Sequence, residues 1–287
     1  MSLKFDLNTW LKKKYAINTK NWDKFASVFQ LAAKSGKFYH YPIIGRLLKR
    51  ISKMDRPDKN FTQGYILNIN KNLIKKAQNV VLPIDIMRKA VKESTYRAIM
   101  HKCICRDGAK CSDYPTTIGC IFIGEGSRVV EERGIAREAN VEEALEHIDK
   151  AASLGLIGQC IWIEAEEFVW GFKKENLHRF LEICFCCPCC CASLRYFKEA
   201  PSDIQRRLRS VGWKATINNN CNSCGICLDV CSINAISLDG KVPSVSDKCL
   251  GCGLCSIHCP VSAVEIIPEG NIKNDIKDYF EDFSLEI

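Results

Sequence analysis

The spacing C-x2-C-x2-C-x3-C occurs twice between residues 221 and 259, as CNSCGICLDVCS and CLGCGLCSIHCP. No other feature of this chain restricts its fold as tightly. The first run supplies Cys221, Cys224, Cys227 and Cys231; the second supplies Cys249, Cys252, Cys255 and Cys259, each 28 residues further on. The correspondence extends past the thiols: Gly225 matches Gly253, Ile226 matches Leu254, and INAI at 233–236 matches VSAV at 261–264. Such a repeat implies two similar halves packed about a pseudo-twofold axis. Thiols at this density oxidise or cross-link unless something holds them. The chain has 19 cysteines, an odd number that cannot pair internally, and its start, MSLKFDLNTWLKKKY, lacks the apolar stretch of a secretory signal. The expected compartment is the cytoplasm, where thiols stay reduced and serve metal or redox chemistry.

The duplicated segment resembles the bacterial-type ferredoxins that carry two 4Fe-4S clusters, over about residues 215–268. The resemblance implies crossed ligation, in which the fourth cysteine of each run binds the other cluster. Cluster one would then take Cys221, Cys224, Cys227 and Cys259, and cluster two Cys231, Cys249, Cys252 and Cys255. Gly225 and Gly253 permit close wrapping of the loops. One departure is Ser232, where the second run keeps Pro260 after its fourth cysteine; it bears on solvent access and potential at cluster two, not on its ligands. With a cysteine on every iron, no coordination position is left for a substrate, so such a module moves electrons.

A second concentration of thiols lies upstream. HKCICRDGAKCSDYPTTIGC brings Cys103, Cys105, Cys111 and Cys120 among turn residues, and ICFCCPCCC brings Cys184, Cys186, Cys187, Cys189, Cys190 and Cys191. Adjacent residues cannot all face one core, so metal ligation explains them better than packing. A single zinc needs four ligands, commonly in C-x2-C pairs; the CC and CCC runs and the number of thiols suit a further iron-sulfur cluster better. The candidate ligands are Cys103, Cys105, Cys111, Cys120, Cys186, Cys187, Cys189, Cys190 and Cys191, with Cys184 ranked last. Pro188 is expected to splay Cys187 and Cys189 apart. The region is also similar to cysteine-rich domains joined to ferredoxin modules in anaerobes, through CICR, GCIF and CCPCCC, a similarity that supports a cluster and implies no reaction. Cys160, in the apolar GQCIWI, reads as a core residue, and His101 as a surface or packing residue. GEGS at 124–127 is too short for a nucleotide-binding glycine loop.

Charge divides the chain in the same places. Residues 1–100 hold 21 Lys or Arg against 6 Asp or Glu, residues 101–216 hold 16 against 17, and residues 217–287 hold 4 against 10. The expected organisation is an α+β chain with a basic, mainly helical region at 1–100, a small α+β cysteine-rich domain at 101–214 and a two-cluster ferredoxin domain with an acidic tail at 215–287. Helices are expected from Trp22, capped by Asn21 and stopped at Gly36, with Trp22, Phe25, Ala26, Phe29 and Ala32 inward; from Pro42, with Ile44, Leu47, Leu48 and Ile51 opposite a basic side; at 84–93; from Val141, capped by Asn140; and at 175–181. Residues 80–82 and GQCIWIEAEEFVW read as strands. The basic Pro42 helix reads either as a packed helix with a solvated side or as a face for an anionic membrane surface or an acidic partner; nucleic acid fits less well, because no base-reading motif accompanies the charge. Three functions are compatible: an electron carrier with a redox partner protein, a reductase whose middle cluster is catalytic, and a metal-handling protein.

Overall fold

A computed structural model describes residues 15–52, 62–70, 80–164, 166–238, 240 and 242–287, which form an α+β structure. Its centre is a seven-stranded sheet built from β1 (Thr62–Leu67), β2 (Arg97–Met100), β3 (Ile121–Ile123), β4 (Ala136–Glu138), β5 (Ile157–Ile163), β6 (Leu181–Cys186) and β7 (Leu208–Ser210). The strand order is β4-β2-β3-β6-β5-β1-β7, antiparallel throughout except for β1 with β7. Strands β1 and β2 come from the first hundred residues, so the sheet draws on both sides of that compositional boundary.

Strand alternation gives the sheet two different faces. In β6, Leu181, Ile183 and Phe185 point one way and Glu182, Cys184 and Cys186 the other. The register Ile121↔Ile183 and Gln159↔Cys184 aligns Cys120 and Gln159 with the Glu182–Cys184–Cys186 row. Over this thiol-bearing face lie α1 (Trp22–Ala33), α2 (Pro42–Ile51), α4 (Ile104–Ala109) and α6 (Ala192–Glu199). The opposite face carries α3 (Pro83–Glu93) and α5 (Val141–Ser153). Asn140 starts α5 with a full capping box: its side chain accepts from the Glu143 N–H at 2.9 Å, and the Glu143 carboxylate accepts from the Asn140 N–H at 2.9 Å.

Several local expectations need correction. The Asn21 side chain accepts from the Asn18 N–H at 2.8 Å and makes no cap on α1. The inward stripe of α1 is Trp22, Ala26, Gln30 and Ala33, while Ala32 is exposed. Gly36 does not stop the helix; the chain continues as a 3-10 turn at Lys34–His40, and Gly36 is small because the Tyr196 carbonyl oxygen lies 2.3 Å from where a Cβ would sit. Residues 80–82 pair with no strand and lead into α3. Glu166–Val169 is a helical turn rather than strand, and the turn before β6 is a 3-10 helix at Lys174–Arg179. Propensity favoured the alternatives, and tertiary placement overrode it.

Helix α2 packs differently from an ordinary amphipathic helix. Ile43 is 85% exposed, and Ile44 and Leu47 are also exposed, with Tyr41 and Phe38 beside them. The Ile51 side chain lies outside the described set.

The C-terminal cysteine runs form a small appended body made of two short ribbons. One pairs β8 (Trp213–Ile217) with β11 (Val264–Pro268), and the other pairs β9 (Ile236–Ser237) with β10 (Ser244–Val245). Only Val211 and Gly212 separate β7 of the large sheet from β8. This joint is tightly tied. The Ser210 hydroxyl donates to the Trp213 carbonyl at 2.5 Å and accepts from the Trp213 N–H at 2.8 Å. The Tyr279 hydroxyl donates to the Val211 carbonyl at 3.1 Å, and the Glu269 N–H donates to the Gly212 carbonyl at 2.7 Å. Gly212 holds φ +90, a region that favours glycine. Beyond the ribbons, Phe280 packs edge-on against Tyr65, and Phe283 lies 4.4 Å from the Trp162 ring, so residues 276–287 close over the face opposite the thiols.

Candidate metal centres

The two halves of the appended body repeat in backbone detail. Left-handed residues occur at Ser223 and Gly251, at Gly225 and Gly253, and at Asn234 and Ser262, each pair 28 positions apart. Each run then enters a four-residue helix, Ile226–Asp229 or Leu254–Ile257. The turns aim N–H groups at sulfur in matching pairs. Ser223 donates to Cys221 at 3.4 Å as Gly251 does to Cys249 at 3.5 Å, and Ala235 donates to Cys231 at 3.1 Å as Ala263 does to Cys259 at 3.2 Å. Backbone N–H groups aimed at sulfur in this way are the outer-shell contacts that orient and tune a metal-bound cysteine.

The thiols sort across the runs. Cys221, Cys224, Cys227 and Cys259 line one cavity with Ile226, Val261 and Pro243. Cys231 sits in electrostatic contact with Cys249, Cys252 and Cys255. Cys224 is exposed and its group opens outward, whereas burial pushes the Cys252 thiol of the second group up to about 12. Two four-thiol sets, each with its own N–H donors, fit a soft polynuclear centre.

The upstream thiols separate into two places. The first is a largely apolar cavity of about 190 Å³ against the thiol-bearing face, lined by Cys103, Cys105, Cys120, Cys184, Cys186, Cys187 and Cys191 together with Glu166 and Glu182. Contacts run around its wall. Cys103 meets Cys105, Cys105 meets Cys191, Cys191 meets Cys186 and Cys186 meets Cys184. Cys184 then lies 3.6 Å from Cys120 and donates to Glu182 Oε1 at 3.1 Å. The Cys105 thiol beside it and burial hold Cys103 well above its ordinary range. Burial, with the Glu182 carboxylate next to it, pushes Glu166 well up as well, and Glu166 Oε2 is buried without a hydrogen-bond partner. Crowded thiols plus an orphaned carboxyl oxygen around one void are a donor set suited to a metal centre.

The second place is nearer the surface. Cys111, Cys187, Cys189 and Cys190 bring all four Sγ atoms within 4.8 Å of one another, with Cys111 to Cys189 at 3.6 Å and Cys189 to Cys190 at 3.4 Å. Cys111 follows α4 through Lys110, which ends the helix in a left-handed turn. The other three lie on the turn after β6. Pro188 therefore does not splay Cys187 from Cys189; the turn curls both toward Cys111. Arg106 stands between the two places, 0% exposed, and donates to the carbonyls of Pro115 at 2.9 Å, Phe185 at 2.8 Å and Ile118. Its charge faces Cys103, Cys187 and Cys120. Gln30 of α1 clamps the same region, donating to the Cys105 carbonyl at 2.7 Å and the Cys190 carbonyl at 3.0 Å.

Glu166, Glu182, Arg106 and Gln30 were not among the residues expected from sequence. For Glu182 and Cys184 a signal existed: LEICFC alternates, which puts Glu182, Cys184 and Cys186 on one strand face. Cys160 is fully buried and its thiol is pushed up by burial alone. His101 is exposed, while His147 is buried in α5 with Nε2 2.8 Å from the Gly119 carbonyl oxygen. No helix among the described residues is long and apolar enough to cross a membrane.

No curated protein and no solved structure matches this chain. A family described as a 4Fe-4S dicluster domain matches residues 220–263, the stretch that holds the duplicated runs. Those residues are an iron-sulfur, ferredoxin-like module set in a longer chain.

Proposed function

We propose that this protein is an electron relay, with two 4Fe-4S clusters in the module and a further iron-sulfur cluster in the cavity against the large sheet. In this reading Cys221, Cys224, Cys227 and Cys259 hold one cluster and Cys231, Cys249, Cys252 and Cys255 the other. Cys103, Cys105, Cys120, Cys184, Cys186 and Cys191 surround the third. A cluster so bound supplies reversible electron uptake. The chain's own residues exclude water, set the potential through N–H donors and fix the order of the centres. The observation that carries the reading is a shared apolar core. Cys231, Cys249 and Cys252 pack on the same buried cluster of Ile233, Leu250, Leu254, Leu194 and Phe197 as Cys184, Cys186 and Cys191. The inner module cluster thus abuts the cavity, and the outer one, at exposed Cys224, faces a redox partner across a rim of exposed Ile226 and Val261. Anaerobically prepared full-length chain is expected to carry three clusters' worth of iron and acid-labile sulfide, with interacting spins in the EPR spectrum of the reduced state. Sulfide for one cluster or fewer would defeat the relay.

One observation favours a second reading, a reductase. The compact group Cys120, Glu182 and Cys184 includes a carboxylate, and its oxygen lies within 4.8 Å of both sulfurs. A metal centre with a carboxylate neighbour has a more labile position than an all-thiolate one, and Glu166 beside it could hold a proton for transfer.

The exposed Ile43, Ile44 and Leu47, flanked by exposed Arg46 and Arg50, also support docking of α2 on an anionic bilayer surface, while Lys49 is paired with Asp203. Co-sedimentation with vesicles containing phosphatidylserine is expected at low salt. It should fall steeply by physiological ionic strength, where exposed charges are screened over roughly 8 to 10 Å. The variant Ile43→Ser, Leu47→Ser should bind much less. Equal binding to neutral vesicles at every salt concentration would exclude this role.

A further inference from the structure

We propose that Cys111, Cys187, Cys189 and Cys190 bind a single zinc or iron ion as a mononuclear tetrathiolate site, separate from every cluster of the relay. The separation of the sulfurs is the first ground. Tetrahedral coordination with metal–sulfur bonds of about 2.3 Å spaces its sulfurs about 3.8 Å apart. The observed 3.4 and 3.6 Å separations, with every pair inside 4.8 Å, are at that scale. A cubane spreads its four cysteines over a larger tetrahedron, with a cage of metal and sulfide between them. The molecule carries its own comparison. Among the described residues, the eight cysteines of the module form no group as compact as this one, although Cys221, Cys224, Cys227 and Cys259 line one cavity.

The second ground is that this site is closed at its back and open at its front. Cys187 and Cys190 are buried, Cys111 is half-buried and Cys189 is exposed. Behind it, the Arg106 side chain is in hydrogen-bond contact with Cys187, so a buried positive charge faces the surplus negative charge that four thiolates leave on a divalent ion. At the front, the backbone N–H groups of Asp113 and Tyr114 point at the Cys111 sulfur. Gln30 holds the Cys190 carbonyl and so fixes the turn that presents three of the four ligands. Of the sulfurs in the group, only Cys187 also lines the cavity assigned to the third cluster. An ion here would pin the turn after β6 to the end of α4, on the outer wall of that cavity.

The test separates this site from the relay by stoichiometry, because each 4Fe-4S cluster contains as much labile sulfide as iron, whereas a mononuclear thiolate ion contains none. Full-length chain, purified anaerobically, should show total zinc plus iron exceeding labile sulfide by one per chain. In Cys111→Ser and in Cys189→Ser, which alter the less buried pair, that excess should disappear while sulfide stays unchanged. Protein expressed with added cobalt should give the intense visible bands of tetrahedral thiolate-bound Co(II), absent from the double variant. Metal and sulfide falling together in equal amounts would show that these cysteines serve a cluster. No excess metal in the parent chain, or no cobalt bands, would also overturn the proposal. A failure of the relay itself would appear differently, as missing sulfide with the excess metal intact.

Discussion

Replacing Arg106 with methionine is expected to destabilise the protein by about 3–5 kcal/mol, the usual loss when one member of a buried charged network is removed. The guanidinium is completely enclosed and is the donor to the carbonyls of Pro115, Ile118 and Phe185. Methionine fills much of the volume but donates nothing, and each carbonyl left without a partner costs about 1–3 kcal/mol. The three carbonyls belong to the loop before β3 and to β6, so their release loosens both segments that carry thiols. Urea unfolding followed by tryptophan fluorescence measures the effect. Arg137→Met, which breaks an exposed pair with Glu143, is the matched control and should cost under about 1 kcal/mol. Equal losses in the two variants would mean that Arg106 is a spectator.

The second large effect concerns which cysteines act together in the module. Cys231→Ala and Cys252→Ala, drawn from different runs, are each expected to remove the same cluster, and the double variant should lose no more iron than either alone. Cys227→Ala and Cys231→Ala, drawn from the same run, should remove different clusters, so that their combination empties the module. Grouping of Cys231 with Cys249, Cys252 and Cys255, and of Cys259 with Cys221, Cys224 and Cys227, underlies the expectation. Iron, labile sulfide and reduced-state EPR on each variant decide it. Loss of only one cluster in the Cys227→Ala, Cys231→Ala double variant would refute crossed ligation. The body has few apolar residues of its own, so clearing both clusters should also unfold it.

Local chemistry was readable where it is written locally. The capping box at Asn140 and Glu143, Pro42 at the start of α2 and the burial of Cys160 all follow from neighbours in sequence. The body that holds the duplicated cysteine runs was legible through its repeat, down to the glycines at 225 and 253 that take left-handed φ. What could not be read depends on pairing over long distances. Strand β1 lies between β5 and β7, some hundred or more positions away along the chain, and no local pattern announces that. The division of the upstream thiols follows from the same pairing, because the register of β3 with β6 aligns Cys120 with Cys184 and leaves Cys187 to Cys190 past the strand end. Gln30 and Arg106 are ordinary polar residues in sequence; only closure of α1 and α4 over the sheet makes them clamps.

The two-residue joint at Val211 and Gly212 bears on how electrons would travel. Bodies linked by a flexible tether usually move relative to one another, on the microsecond to millisecond scale, and a redox centre on such a swinging arm delivers charge only as often as the arm returns. Here the joint is bound on both sides, by Ser210 with Trp213 and by Val211 with Tyr279. In the proposed relay, the gap between module and sheet would therefore be set at folding, and the protein would act as a fixed conductor with a contact at one end rather than as a shuttle.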